Sequence, residues 1–382
     1  MRKTINIGDL GTIITGKTPP TTNKNYYGDY AVFIKPTDIS EQSKYTYETE
    51  EMYSKLAAEK YESSLIPKGA ICVPCIGTIG TKMTMTPCDC YTNQSINSII
   101  CNENYDNEYV YYLIKNFLPG LKAYNLGTAS GREYVSKSNF EKIELVAEQD
   151  KEIQKKIGVI LSRYDSLIEN YQKQIKLLEE AAQRLYKEWF VDLRFPGHEN
   201  RNIIDGVPEG WEKKKVGEIS EFKRGKTITK KDIVEGNVPV VAGGLEPAYY
   251  CNKHNTTSRV ITISGSGANA GFTRLYYEKV WASDCSFADT NTTKWLHYVY
   301  CFLQASKSAI DNMQKGAAQP HVYAKDINAL DIMVPDAELL IRFEDYSSKY
   351  FNKVHSLQSQ LRFLTEARDR LLPKLMSGEI TV

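Results

Sequence analysis

The chain repeats itself, and this internal duplication constrains the fold more than any other feature of the sequence. The matched motifs of the first part are Ile7-Gly8-Asp9-Leu10 with Val216-Gly217-Glu218-Ile219, and Gly16-Lys17-Thr18 with Gly225-Lys226-Thr227, at a spacing of 209 residues. Later, Glu180-Ala181 and Arg184-Leu185 recur as Glu366-Ala367 and Arg370-Leu371 at a spacing of 186 residues. The order of the motifs is kept while the spacing shrinks. This pattern predicts two similar halves whose loops differ in length.

Each half begins with a region of short β-type runs, residues 1–149 and 211–335. Apolar and β-branched runs at residues 70–73, 98–101 and 260–263 alternate there with Gly, Pro, Asn and Asp. Two segments, residues 108–117 and 295–305, have helical character instead. This mixture predicts an α+β fold class, with one mixed α/β globule in each half.

Each half ends in a long helical segment, predicted at residues 150–196 and 336–382. Apolar residues recur there at steps of three and four, which is a heptad pattern with one stutter. In the first segment they are Ile157, Ile160, Tyr164, Ile168, Tyr171, Ile175, Leu178, Ala182, Leu185 and Trp189. Phe195-Pro196-Gly197 ends that helix, and residues 197–210 form a linker.

A long helix with one apolar stripe needs a partner, and the other half supplies an equivalent helix. The simplest arrangement packs the two as an antiparallel coiled coil related by a pseudo-two-fold axis. Because B-DNA also has local two-fold axes, such a chain suits a DNA target made of two separated half-sites.

Five segments resemble one protein family, the specificity subunits of type I restriction-modification systems. They are residues 33–39, 75–80, 185–191, 208–219 and 370–380. The segment at 208–219 resembles the opening of that family's target recognition domain, and the one at 370–380 resembles its closing motif. The five segments occur in order along a duplicated chain, so the resemblance extends over essentially its whole length.

The resemblance implies a fold and a set of partners. Two target recognition domains would each contact one half of a bipartite site on double-stranded DNA, and the two helices would fix the unspecified spacer. The same helices would dock two methyltransferase subunits and, through them, restriction subunits. The chain itself would be non-catalytic, with S-adenosylmethionine, ATP and Mg²⁺ bound on partner subunits only. We therefore expect no cofactor and no metal on this chain.

Composition and motifs agree with a non-catalytic protein that does not enter membranes. The longest stretch without a charged residue, Val260–Thr273, has 14 residues, and a membrane span needs about 18 or more apolar ones. No secretory signal opens the chain, so we expect a cytoplasmic protein. An Asn/Asp-Pro-Pro-aromatic methyltransferase motif and a phosphate-binding P-loop are absent from the sequence. Cys72 and Cys75 are interpreted as buried thiols in a strand rather than as a zinc site.

Candidate DNA-binding residues follow from repeat position and residue type, because Arg, Lys, Asn, Gln, Ser, Thr and short carboxylates contact bases and phosphates. In the first half they are Lys17, Thr18, Thr78, Lys82, Asn93, Gln94, Ser95 and Arg132. In the second half they are Arg224, Lys226, Thr227, Lys230, Lys231, Ser266, Asn269, Asp284, Ser286, Gln319 and His321. Residues 213–231 are predicted to form a phosphate-binding patch. Base selection is expected where the halves differ, at 128–132 against 317–321 and at 93–95 against 283–285.

Two other functions fit the same sequence. One is an adaptor without DNA binding, in which a coiled coil joins two protein-binding modules. The other is an enzyme with an unrecognised site. The net charge of +1 does not decide between these functions, since it neither indicates nor excludes a polyanionic partner.

Overall fold

The computed structural model describes residues 2–127, 131–229, 231, 233–314 and 320–382. The chain divides into two compact units, and each unit contains one end of both long helices. Unit 1 comprises Met1–Asn170 and Leu361–Val382, and unit 2 comprises Tyr171–Gln360. The sequence predicts different boundaries, after residues 149, 196, 210 and 335. That domain division stays a prediction.

Unit 1 contains eleven strands and three short helices among its described residues. The strands are β1 (Arg2–Asn6), β2 (Gly11–Thr15), β3 (Tyr27–Ile34), β4 (Met52–Tyr53), β5 (Ile71–Pro74), β6 (Ile76–Gly77), β7 (Thr84–Met85), β8 (Tyr91–Thr92), β9 (Ile96–Cys101), β10 (Glu133–Tyr134) and β11 (Glu144–Glu148). The helices are α1 (Lys55–Lys60), α2 (Asn107–Phe117) and α3 (Lys137–Glu141), followed by the long helix α4 (Lys151–Tyr186). A π-helical turn, Lys187–Val191, continues α4.

Unit 2 repeats this order with small differences. Its strands are β12 (Ile203–Ile204), β13 (Val207–Pro208), β14 (Glu212–Lys215), β15 (Lys223–Arg224), β16 (Val238–Val241), β17 (Tyr249–Cys251), β18 (Val260–Ser264), β19 (Thr273–Tyr276), β20 (Trp281–Ala282), β21 (Cys285–Asp289) and β22 (Asp331–Val334). Its helices are α5 (Val216–Ile219), α6 (Leu296–Ala305), α7 (Lys307–Asn312) and α8 (Ala324–Asn328), followed by the long helix α9 (Ala337–Ser377).

The sheets confirm the duplication that the sequence predicts. The strand order β2-β9-β5-β7 of unit 1 recurs in unit 2 as β15-β21-β18-β19, and β4-β3-β8 recurs as β17-β16-β20. The pair β1-β11 recurs as β14-β22. One loop explains much of the shrinking spacing between the repeats. Residues 35–51 join β3 to β4, whereas only residues 242–248 join the corresponding β16 to β17.

The long helices run antiparallel within each unit. In unit 1, Asp165 of α4 forms an ion pair with Arg368 of α9 at 2.6 Å. Arg2, the first residue of β1, donates to the carbonyls of Leu375 and Met376 near the end of α9. Arg2 also lies 3.8 Å from Glu148, just before α4 begins, so the end of α9 lies beside the start of α4. In unit 2, the ring of Tyr186 lies 6.2 Å from that of Phe343.

The short helix of each globule packs against the long helices of its own unit. Asp106 caps the start of α2, its carboxylate accepting the amide of Tyr109 at 3.0 Å, and the backbone amide of Asp106 donates to buried Gln154 on α4. Helix α6 has the equivalent place in unit 2, where the amide of Tyr298 donates to Glu344 on α9 at 2.9 Å. The apolar core of each unit is therefore continuous from the sheet through this helix to the long helices.

Candidate nucleic-acid interface

The two Gly-Lys-Thr motifs make the same turn in both units. The amide of Gly16 donates to Ile96 O at 3.2 Å and that of Lys17 to Thr92 O at 2.9 Å. In unit 2 the amide of Gly225 donates to Cys285 O at 2.8 Å and that of Lys226 to Ala282 O at 2.9 Å. These bonds attach the segment after the first strand of each four-stranded sheet to the strands beside it. The matched motif is therefore a structural turn.

The side chains of the two turns point away from this backbone contact. The Lys17 carbonyl accepts the Tyr53 hydroxyl at 2.6 Å, and the Lys226 carbonyl accepts the Trp281 indole N–H at 2.7 Å. The side chains of Lys17 and Lys226 are exposed, as are those of the threonines that follow them. An aromatic side chain thus fixes each turn, while both lysine side chains remain accessible to a phosphate.

The glycine of each turn is required by close packing. A Cβ at position 225 would lie 2.3 Å from Ser283 O, and a Cβ at position 16 would lie 2.1 Å from Thr92 O. Carbon and oxygen atoms cannot approach so closely, so an added methyl group would push the turn away from the strand.

We expect Gly225→Ala to lower the stability of unit 2 by about 1–3 kcal/mol, the usual cost of overpacking. The measurement is thermal unfolding followed by hydrogen exchange of strands β20 and β21. Gly244→Ala is the matched control, because a Cβ there lies 3.3 Å from its nearest neighbour, Glu246 O, and requires a shift of only a few tenths of an ångström. Equal melting temperatures for the two variants would contradict the packing argument.

Residues from four separate segments of unit 2 surround one cavity of about 200 Å³. Four of the predicted DNA-binding residues line it: Arg224, Asp284, Ser286 and His321, together with Tyr323. Strand pairing brings them together, since Arg224 lies opposite Ser286 in the β15–β21 pair and Ser266 is bridged to His321. The Ser266 hydroxyl donates to Asp284 at 2.5 Å, and the His321 ring stacks on Tyr323 at 5.9 Å.

The cavity offers a cation, hydrogen-bond acceptors and a planar aromatic surface, which are the groups that contact bases and phosphates. Arg224 is exposed and has no carboxylate partner among the residues that the structure describes. Ser286 is only 4 % exposed, so it is the least accessible member of the set. Its contact with DNA stays a prediction, as do those of the other members.

Unit 1 carries different side chains on the same scaffold. Thr15 lies opposite Asn97 in the β2–β9 pair, in the positions that Arg224 and Ser286 have in unit 2, and its hydroxyl donates to Asn97 Oδ1 at 2.7 Å. The hydroxyl of Thr18 bonds the side chain of Gln94, and Asn93 Oδ1 accepts the amide of Ser95 at 3.0 Å. The predicted residues Thr18, Asn93, Gln94 and Ser95 therefore lie together with Thr15 and Asn97 at one edge of the unit 1 sheet.

The glycine loop after the central strand is also built twice. Gly77 and Gly80 in unit 1, and Gly267 and Gly271 in unit 2, have φ between +75° and +94°, a backbone region that favours glycine. Strand β6 pairs with β10, and the carboxylate of Glu133 accepts the amide of Ile79 at 3.0 Å. Thr78 is exposed, whereas Lys82 and Asn269 are partly buried.

Sequence reasoning missed three residues of this surface: Thr15, Asn97 and Tyr323. A signal for one of them was available, because Thr15 precedes Gly16 as Arg224 precedes Gly225 at the repeat spacing of 209.

Of the remaining predicted DNA-binding residues, Arg132 and Lys231 are exposed. Lys230 and Gln319 lie outside the described residues. So do residues 128–130 and 317–318, which belong to the segments where base selection is expected.

The predicted phosphate patch at residues 213–231 is less positive than its composition indicates. Lys213 and Lys215 lie 3.7 and 2.7 Å from the carboxylate of Asp331, and Lys214 lies 2.6 Å from Glu212. Lys223 lies 3.5 Å from Glu221. Three carboxylates therefore face the first four lysines, and among the residues that the structure describes Arg224, Lys226 and Lys231 form no salt bridge within the patch.

Cys72 and Cys75 of unit 1 are buried in the core. Cys72 is in β5, Cys75 follows that strand, and burial raises the pKa of each thiol to about 12. Zinc binds the thiolate, which this burial disfavours. Within the described ranges, no group of three His, Cys, Asp or Glu side chains is arranged to hold a metal ion. No helix among those residues is long and apolar enough to span a bilayer.

Known proteins resemble this chain over nearly its full length. The family model described as "Type I restriction modification DNA specificity domain" matches residues 2–180 and 208–339. The MjaIX type I restriction enzyme specificity subunit of Methanocaldococcus jannaschii is 28 % identical over 98 % of this chain and 93 % of its own length. The HindI specificity subunit of Haemophilus influenzae is 38 % identical over 41 % of this chain and 35 % of its own.

A solved structure has the same fold. The crystal structure of the type I restriction-modification S subunit from M. genitalium superposes with a TM-score of 0.66 and 19 % identity, covering 98 % of this chain and 96 % of that one. The two family matches correspond to the two repeats that the sheets display.

Proposed function

This chain belongs to the type I restriction modification DNA specificity family, and on that premise we propose that each of its two units reads one half of a bipartite DNA target. The observation that carries the proposal is the pair of equivalent sheet edges. Both have the same Gly-Lys-Thr turn and glycine loop, but they carry Thr15 and Asn97 in unit 1 against Arg224 and Ser286 in unit 2. A shared scaffold with different polar side chains suits two different half-sites.

We propose further that the chain assembles with two methyltransferase subunits and through them with restriction subunits, and that it is not itself catalytic. The family membership and the names of the relatives support this assignment. S-adenosylmethionine, ATP and Mg²⁺ would then be bound by the partners. A cytoplasmic location follows from the same proposal, since such a complex acts on the cell's DNA.

The test is selection of DNA from a pool of random duplexes. The purified full chain, with its methyltransferase partner, is incubated with the pool at about 150 mM salt, because protein–DNA affinity depends strongly on ionic strength. We expect enrichment of two short sequences separated by a fixed number of unselected base pairs. No enrichment would support the adaptor function instead, and methylation or cleavage of DNA by the chain alone would support the enzyme.

We also propose that the helix pair sets the spacing between the half-sites. Removing seven residues from each helix, residues 168–174 and 359–365, shortens both by about 10 Å at about 1.5 Å per residue. The spacer in the enriched DNA should then shrink by about three base pairs at about 3.4 Å each. Selection of the original spacing with undiminished affinity would contradict this role of the helices.

A further inference from the structure

A buried cluster of three polar side chains joins the long helices in unit 1. The carboxylate of Asp165 on α4 accepts the Arg368 guanidinium of α9 at 2.6 Å on one oxygen and the Tyr112 hydroxyl of α2 at 2.5 Å on the other. The side chains of Asp165 and Arg368 are 5 % and 10 % exposed. Both carboxylate oxygens are thus satisfied, and three helices contribute to one interaction.

Unit 2 has apolar residues at the equivalent positions. The helix repeat spacing of 186 residues, seen in Glu180 against Glu366, relates Asp165 to Phe351 and Arg368 to Ala182. Both are in the core of unit 2, with Phe351 3 % and Ala182 0 % exposed. Phe351 also lines a cavity with Glu179 and Gln183, which flank Ala182 on α4.

The third member of the cluster is absent from unit 2 as well. Tyr109 and Tyr298 are equivalent at a spacing of 189, since each is fully buried on its short helix and each hydroxyl hydrogen-bonds the backbone of the strand before the long helix, at Glu148 in unit 1 and at Met333 in unit 2. The same spacing relates Tyr112 to Cys301, which is also fully buried. The hydroxyl is therefore missing where the ion pair is missing.

This asymmetry matters because the two long helices are equivalent elements of the two repeats. Each carries an apolar heptad stripe, so α4 of one chain could pair antiparallel with α4 of another chain, and α9 with another α9. In the first pairing Asp165 would face Ala182, and in the second Arg368 would face Phe351. Each such pairing would separate the two buried charges, leaving, among the described residues, Asp165 with only the Tyr112 hydroxyl and Arg368 with only the half-exposed Asp369 beside it on α9. Taking one member away from a buried ion pair is strongly unfavourable.

We propose that Tyr112, Asp165 and Arg368 form a specificity determinant that selects the pairing of α4 with α9 over the pairing of either helix with its own copy in a second chain. A single buried polar contact in an apolar helix pair is known to fix partner choice at some cost in stability. Here it would keep a duplicated chain from assembling through identical halves.

The test compares two full-chain variants with the original protein. The apolar variant carries Tyr112→Phe, Asp165→Leu and Arg368→Leu, and the reversed variant carries Asp165→Arg and Arg368→Asp. Two differently tagged copies of each are co-expressed, one tag is captured, and the other copy is quantified. Circular dichroism and thermal unfolding establish that each variant is folded.

We expect co-capture of the second copy to rise at least about tenfold for the apolar variant. Such a rise corresponds to a tenfold change in the equilibrium constant between helix pairing within one chain and pairing between two chains. The reversed variant keeps a paired charge and should co-capture as little as the original chain. Unchanged co-capture by a folded apolar variant, or equal co-capture by both variants, would overturn the proposal.

Asp165→Asn with Arg368→Gln is a second uncharged version. If neither uncharged version folds, the cluster is needed for folding itself and the proposal fails.

Discussion

Replacing Arg224 by alanine should abolish base selection at one position of one half-site and leave the other half-site unchanged. Arg224 is the exposed cation of the unit 2 cavity, and in unit 1 its place is taken by Thr15. Arginine is the side chain that most often contacts guanine, through a bidentate pair of hydrogen bonds to O6 and N7. We therefore expect the affected position to be a guanine in the sequence selected by the original chain.

The expected loss is about 1–3 kcal/mol of discrimination, or roughly 5- to 150-fold at that base pair. The measurement is selection from a random duplex pool by the full complex, with affinities determined at several salt concentrations. Arg224→Lys is a matched variant that keeps the charge but loses the planar fork, and it should also relax selection. An unaltered motif for both variants would exclude Arg224 as a base reader.

Lys226→Ala provides the contrasting control two residues away. The backbone of Lys226 is held by Ala282 and Trp281, and its side chain is exposed. A lysine that contacts only phosphate should weaken binding to all duplexes alike and lower the salt dependence by about one counterion. If Lys226→Ala instead abolished selection at one base pair, Lys226 and not Arg224 would have the role of base reader.

The architecture could be predicted because it rests on local patterns that occur twice. The heptad steps predict α4 and α9, and the predicted helical segments at 108–117 and 295–305 correspond to α2 and α6. For the unit 2 cavity, the sequence could predict individual residues but not that they lie next to one another. Arg224 and His321 are brought together by the β15–β21 register and by the Ser266–His321 bridge, which join residues far apart in sequence. Sequence periodicity contains no information about such a register between distant strands.

Charge was harder to predict than fold. Residues 213–231 look strongly basic in sequence, yet Asp331, on the strand that pairs with β14, lies beside two of the lysines. The heptad pattern placed Tyr164 and Ile168 in the apolar stripe but gave no role to Asp165 between them. Its partner Arg368 lies 203 residues further along the chain, so only the antiparallel packing reveals the pair.

Replacing Arg368 alone by alanine should destabilise the protein more strongly than Gly225→Ala does. The substitution leaves the carboxylate of Asp165, which is 5 % exposed, with the Tyr112 hydroxyl as its one remaining hydrogen-bond partner among the described residues. Removing one member of a buried ion pair costs about 3–5 kcal/mol, because the remaining charge loses its compensation. For a unit of this size we expect the melting transition to fall by roughly 2–4 °C for each kcal/mol.

The control is Arg370→Ala, two residues further along the same helix. Arg370 pairs with Glu366 across one helical turn, but its side chain is 78 % exposed. Exposed pairs of this kind contribute about 0–1 kcal/mol, so the control should melt close to the original chain.

Hydrogen exchange locates the change in stability caused by Arg368→Ala. Protection should fall in α2, in the part of α4 before residue 171 and in the part of α9 after residue 360, while the amides of unit 2 keep their protection. Similar melting temperatures for the two variants, or a loss of protection confined to unit 2, would contradict the role of the Asp165–Arg368 pair, because only unit 1 contains that buried charge.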